Sequence, residues 1–395
     1  MPQVPRSKPP RRGASMKSPL LELPGAVPPP DDSADAGVPW HFGDPFAEQR
    51  SATRSAVVVD RSHRQVIAVP GEERLSWLHL VLSQHMTELP DGRATEALVL
   101  DSHGHVDCHV MVAHHDGVVY LDTEPGAQAT SALPSLGVDG RQSLLEYLEA
   151  MRFWSKVEPR DASEEFALLS VIGPDAAQLL SKFATVPSGG DEVAGLPGGG
   201  FVRTVPFRGL FTADLVVPRA DLVEWWTKLT DAGMRPAGTM AYDALRVEAL
   251  RPRVGFETDD RAIPHELGWV HVAAHVAKGC YRGQETVSKV HNVGKPPRRM
   301  VLLHLDGSVE IRPETGDPVW HGERKVGRVG TVVLHHELGP IALALLKRTA
   351  PVDAELVAGD PEQDRAVAAA VDPDSVPPDT GEPPGRIAAQ GLKGR

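Results

Sequence analysis

Lys278-Gly279-Cys280-Tyr281-Arg282-Gly283-Gln284-Glu285 sets one thiol between two glycines, with an ammonium two positions before it. Gly279 and Gly283 let the backbone turn and approach a ligand where a Cβ would obstruct. A cation such as Lys278 beside a thiol favours the thiolate. A tight turn with a half-buried cysteine would use some of the same residues. Eight informative positions in a row favour a reactive Cys280, with Lys278 as its activating neighbour, over that turn.

Working outward, 395 residues give room for two or three domains and a sizeable core. Two cysteines indicate a reducing compartment and exclude a disulfide framework. Two thiolates also fall short of the four that usually hold an iron–sulfur cluster. The net charge of −12 argues against a nucleic-acid binder, which needs a basic footprint. Part of that charge is terminal, since residues 353–395 carry nine acids against four basic residues. Apolar runs are too short for a bilayer, and the N-terminus has no continuous apolar stretch. Its basic start (Arg6, Lys8, Arg11, Arg12, Lys17) is broken by Pro2, Pro5, Pro9, Pro10 and Pro19, which forbid a presequence helix. A cytoplasmic protein without membrane or direct nucleic-acid contact is the expectation.

Residues 1–50 are rich in Pro and Gly and are expected to form a disordered tail. Val57–Asp60 with Ala56, and Gln65–Val69, read as strands; Leu75, Leu78, His79 and Leu82 then share a helix face. Ala97–Leu100, Val106–Ala113 and Val118–Asp122 read as strands, followed by a helix from Leu144 to Phe153. These form a first lobe over residues 51–160. Residues 161–235 repeat the theme: strands at Phe166–Val171, Phe201–Val205 and Thr212–Val217, with helices ending at Leu180 and Leu229. Ser188–Gly200 reads as a loop. The order suits an α+β layer with helices on one face of an antiparallel sheet. A helix from Thr239 to Leu250 opens a return segment over residues 236–298, which carries the octet. Short strands and Gly turns over residues 299–358 read as a small β-barrel, and residues 359–395 as a second disordered tail.

Seventeen histidines raise the question of a metal. His103, His105, Cys108, His109, His114 and His115 cluster, but strand alternation turns Cys108 away from His109 and no zinc spacing is matched. His271 and His275 lack the Glu of a zinc-protease motif. No metal is expected. Gly195–Gly200 lacks the lysine of a phosphate loop, and no serine elbow is present. Arg246, Arg251 and Arg253, interleaved with Glu248, Glu257, Asp259 and Asp260, suit a ligand with a carboxylate tail and a flat heterocycle. Ordinary surface ion pairing explains the same charges.

The octet resembles the signature of the YgfZ-type folate-binding proteins, a branch of the superfamily that includes the aminomethyltransferase of glycine cleavage. Leu100-Asp101-Ser102-His103-Gly104-His105-Val106 is similar to its glycine hairpin, and Leu245 through Glu257 to its arginine-rich segment. The resemblance implies a three-lobed aminomethyltransferase-like fold, with ferredoxin-like α/β layers around a central cavity and a C-terminal β-barrel. It implies tetrahydrofolate as cofactor, with Asp214, Arg246, Arg253 and Glu257 as binding residues. It also implies Cys280 as the motif cysteine, among Gly279, Tyr281, Arg282, Gly283, Gln284 and Glu285, at or near the mouth of the site. The implied role is accessory, in assembling or repairing iron–sulfur proteins, including those that modify tRNA, with such proteins or assembly factors as partners.

The alternative is a folate-dependent aminomethyltransferase or demethylase. Against it, Cys108 stands where the transferase carries a hairpin Asp, and Tyr242 where it carries an Arg. Asp107 is adjacent but faces the other way on a regular strand. A third reading is a pure interaction module built on the barrel and acidic tail.

Overall fold

The computed structural model describes residues 16–132 and 140–378. A 3-10 turn at Pro19–Glu22 leads through an extended strap to helix α1 (Pro45–Arg54), whose first turn is capped by the Asp44 side chain. Strand β1 (Val57–Asp60) is buried along its whole length, as a central strand must be. Next come β2 (Gln65–Val69), α2 (Arg74–Val81), β3 (Arg93–Leu100), β4 (Val106–His115), β5 (Val118–Thr123), β6 (Gln128–Thr130), β7 (Arg141–Ser143), α3 (Leu144–Ala150) and β8 (Arg160–Asp161). They form a sheet of order β3-β4-β5-β2-β8, with β6 and β7 as a separate ribbon. Ile67, Val99, Val110 and Leu121 on this sheet pack against Leu78 of α2 and Leu148 of α3.

The second half adds β9 (Phe166–Ile172), α4 (Ala176–Leu180), β10 (Val193–Gly195), β11 (Phe201–Thr204), β12 (Thr212–Pro218), α5 (Leu222–Asp231) and β13 (Arg235–Ala237). Their sheet runs β10-β11-β12-β9-β1-β13, with β1 antiparallel to β9 and parallel to β13. Thus β1, expected in the first lobe, belongs to the second sheet, and the chain crosses over before making β2. The loop expected over Ser188–Gly200 contains β10, which pairs with β11. Ala94 and Ala113 of one sheet meet Leu168, Phe201 and Val216 of the other. Within this seam Arg203 is fully buried between Asp122 of β5 and Asp214 of β12.

Helices α6 (Thr239–Glu248) and α7 (Gln284–Val293) precede the closed barrel of β14 (Arg298–Leu305), β15 (Pro318–His321), β16 (Arg324–His335), β17 (Gly339–Lys347), β18 (Leu356–Ala358) and β19 (Val367–Val371). Both expected tails are shorter than composition suggested. In β19, Val367, Ala369 and Val371 point inward and close the barrel beyond residue 359. At the other end, Leu20 is fully buried in the core beside α5. The strap is held by backbone bonds from Ser18 N–H to the Gly37 carbonyl (2.8 Å) and from Thr239 N–H to the Pro39 carbonyl (3.1 Å). Residues 1–15 and 379–395 of the two expected tails lie outside the described residues. Proline-rich composition hid both segments because neither carries helical periodicity.

Leu20→Ala should destabilise the protein by about 2–5 kcal/mol, the usual range for emptying a buried leucine site. The midpoint of urea unfolding reads this directly; an unchanged midpoint contradicts an ordered strap.

Candidate functional site

The octet leads into α7 and packs on the hairpin between β3 and β4. Gly283, at φ +79°, has the Asp101 carbonyl and the Gly104 Cα each 2.7 Å from where a Cβ would stand. Gly104, at φ +84°, is blocked in turn by Thr286 Cβ at 2.8 Å. Both positions require glycine for space as well as for conformation. Arg282 donates to the Thr130 and Ser131 carbonyls at 2.5 and 2.9 Å. Gln284 Nε2 donates to the Lys278 carbonyl, Tyr281 is buried, and Glu285 and Gly279 are exposed.

Cys280 is exposed. Lys278 is not its open neighbour. The lysine is buried, and Nζ donates to the carbonyls of His79, Leu82 (2.5 Å) and Gln84 (3.0 Å). These carbonyls lie at and just beyond the end of α2, where unpaired acceptors and the negative helix pole draw a cation. Burial pushes the ammonium down to about 7. The expectation that Lys278 serves the thiol is therefore corrected: it clasps α2.

Two cavities meet between the lobes. The outer one, about 650 Å³, is lined by Asp101, His105, Asp107, Gln128, Thr130, Arg141, Val254 and Asp260, among others. The inner one is only about 60 Å³ and is lined by Arg61, Arg64, Asp214, Tyr242, Arg246 and Arg253. His109 and Glu124 line both. Cys280 lines neither; Arg282 links its loop to Thr130 at the outer cavity's wall.

The predicted binding residues are largely engaged in buried pairs and hydrogen bonds within the protein. Asp214 accepts from Ser170 Oγ (2.6 Å) and Arg203 Nη2 (3.2 Å). Arg246 bonds Asp243 (2.6 Å), Glu257 (3.3 Å) and Thr331 (2.5 Å). Glu257 lines neither cavity. Its Oε1 accepts the Thr331 N–H freed by a bulge in β16, and its Oε2 accepts the Arg253 N–H, each at 2.7 Å. It is a strut from the arginine-rich segment to the barrel rather than a ligand group. Arg253 holds Glu124 (2.7 Å) and Asp35 of the strap (2.6 Å). Charges that a sequence reading leaves open as surface pairs are thus buried pairs, joined by a strap residue it placed in a tail.

At the hairpin, Cys108 is buried at the wall of the outer cavity and donates to the Gln128 carbonyl at 3.3 Å, and burial pushes its thiol well up. His109 faces the other way, stacked on Trp269 at 5.1 Å with Nε2 2.8 Å from Glu96. A register shift opposite Asp107 breaks the expected alternation. Its carboxylate reaches the outer cavity, accepting from Thr130 N–H (2.8 Å), Thr130 Oγ1 (2.9 Å) and Arg141 Nη1 (2.9 Å). Burial pushes the Asp107 carboxyl up against these donors. The bulge, invisible in the residue pattern, is why Asp107 was misplaced.

Residues 37–276, more than half of the chain, match the GCVT N-terminal domain. The chain belongs to the GCVT N-terminal domain family. Among its relatives, the aminomethyltransferase of Streptomyces avermitilis is 27% identical over 328 residues, covering 79% of this chain and 84% of the relative. That of Nitrosococcus oceani is 28% identical over 285 residues, covering 69% and 72%. The glycine cleavage system aminomethyltransferase T from Bartonella henselae shares the fold, with a TM-score of 0.74 at 19% identity over 89% of this chain and 94% of that one. The GCVT match holds both sheets and the arginine-rich segment, and ends at residue 276, before Lys278.

Within the GCVT region, Glu96 is the acid whose protonation is most informative. Burial acts to raise its pKa, but His109 and then Arg251 (2.8 Å) bring it down to about 2. A carboxylate held below its unfolded value of about 4.3 stabilises the fold above that pH and loses this contribution as pH falls towards the folded value. Acid unfolding should therefore steepen between about pH 4.5 and 2 in the parent and be flatter there in Glu96→Gln. Identical pH profiles by circular dichroism contradict the pairing.

Proposed function

We propose that this protein binds a reduced folate in the inter-lobe cavity and acts through the Cys280 thiol as an accessory to iron–sulfur cluster assembly or repair. A cavity of about 650 Å³ is of the size that buries a cofactor. Asp107 at its wall suits the amino and ring N–H donors of a pterin, and Arg141 holds that carboxylate in place. The observation that carries the accessory reading is the contrast between the two thiols. Cys280 is open to solvent on a glycine-framed loop, whereas Cys108, at the hairpin position of the transferase Asp, stands buried at the cavity wall, spends its S–H on the Gln128 carbonyl and is held in the thiol form by burial, a poor general acid–base group. The clients would be iron–sulfur proteins, among them tRNA-modifying enzymes.

A second reading, folate-dependent aminomethyl transfer or demethylation, is the one the comparisons favour over the first. The relatives quoted above are named aminomethyltransferases, and Asp107 supplies a carboxylate at the cavity with its pKa raised by burial.

Calorimetric titration with tetrahydrofolate separates these ideas. The parent should bind one equivalent, and Asp107→Asn or Arg141→Ala should each weaken binding by roughly tenfold, about 1.4 kcal/mol. No heat at millimolar folate contradicts the site. Cys280→Ser should keep folate affinity and fail to complement a strain lacking the function; full complementation contradicts a role for the thiol. Folate-dependent turnover of an aminomethyl donor, lost in Asp107→Asn, would favour the second reading over the first.

A further inference from the structure

The hairpin that the octet braces carries Asp101, His103 and His105 at alternate positions, and one ligand atom from each lies within 4.8 Å of the others. We propose that these three side chains form a binding site for a divalent transition metal at the mouth of the inter-lobe cavity. The proposal stands independently of the folate reading.

The geometry suits a small cation. Asp101 Oδ2 lies 2.9 Å from His105 Nδ1 and 3.8 Å from His103 Nδ1. Donors bound at about 2.0–2.1 Å around a tetrahedral ion stand roughly 3.4 Å apart, between these two values. Two imidazoles and one carboxylate are a donor set for zinc or ferrous iron, whereas calcium and magnesium prefer oxygen alone. Asp101 Oδ1 accepts the backbone N–H groups of His103 and His105, each at 2.8 Å, so the carboxylate is fixed with Oδ2 turned towards the rings.

The turn is also rigid from behind. Gly104 lies against Thr286 and Gly283, so the first turn of α7 backs the loop. Asp101 and His105 line the outer cavity together with Asp107 and Asp260, which add negative potential. His103 is the open side of the site, its side chain 77% exposed, while those of His105 and Asp101 are 30% and 16% exposed. A fourth coordination position therefore remains for water or a ligand entering the cavity.

A second accessible histidine group, His79, His85 and His275, is less suited. His79 and His275 each accept a backbone N–H at Nδ1, from Met86 (3.3 Å) and Ala277 (3.2 Å), so in the neutral ring Nε2 carries the proton.

The test uses the full chain, stripped with a chelator and titrated with Zn²⁺ against a chromophoric competitor, and with Co²⁺ for its visible absorption. The parent should take one equivalent with the absorption of a low-coordinate cobalt site. His105→Ala should weaken zinc binding by at least about tenfold, and His103→Ala/His105→Ala should abolish the stoichiometric site. Both side chains are solvent-accessible, and unchanged circular dichroism would confirm that the double variant is folded. Cys280→Ser should retain the equivalent. No stoichiometric binding by the parent at micromolar zinc overturns the proposal. So does equal binding by the double variant, or loss of the equivalent in Cys280→Ser.

Discussion

Arg203 joins the two halves of the molecule. Its guanidinium is fully buried, with Asp122 of the first sheet on one side and Asp214 of the second on the other. Removing one partner of such a pair leaves a buried charge uncompensated, at a cost of about 3–5 kcal/mol. The pairing also determines what the centre of the molecule can do. Asp214 is committed to Arg203 and Ser170, so it is not free to hold a ligand, and the inner cavity shrinks to about 60 Å³. Arg64 continues the network from Asp122 to Glu124, and Arg253 from Glu124 to Asp35. Between the lobes, a sizeable ligand is thereby confined to the outer cavity, beside the hairpin, the β6–β7 ribbon and the arginine-rich segment.

The octet acts on that cavity from outside. Its backbone backs the hairpin through Gly283, its arginine fixes the carbonyls of Thr130 and Ser131, and its lysine closes the end of α2. Three parts of the first lobe are thus tied to one loop that presents a thiol to solvent. Arg282 thus links the Thr130 wall of the cavity to the loop that carries the thiol.

Much of the architecture was legible in the residues. Short apolar runs located β2, β4, β12 and β17, which are buried on both faces, and helical spacing located α2, α3 and α5, which bury one face each. The barrel was readable from its short strands and Gly turns. Three things were not. β1 is buried on both faces, so nothing in Val57–Asp60 says which sheet it joins. The strap and β19 are short and proline-flanked, and their order depends on long-range contacts such as Leu20 with the core and Val371 with Leu303. At the site, Cys280 was correctly read as open, although it lines neither cavity and its expected place at the mouth is not shown. Lys278 and Glu257 were not correctly read, because composition cannot reveal that an ammonium will find three carbonyls or that a bulge in β16 will expose an N–H. Asp107 was lost to the same cause, a bulge that reverses strand parity.

The central claim is that a pterin enters the outer cavity and stops at the arginine–carboxylate network. A crystal structure of the protein grown with a stable reduced folate tests it most directly. The account predicts a pterin ring beside Asp107 and His109 in the outer cavity, with the Arg203 pairing undisturbed. A saturated crystal with that cavity empty, or with folate bound elsewhere on the molecule, would contradict it.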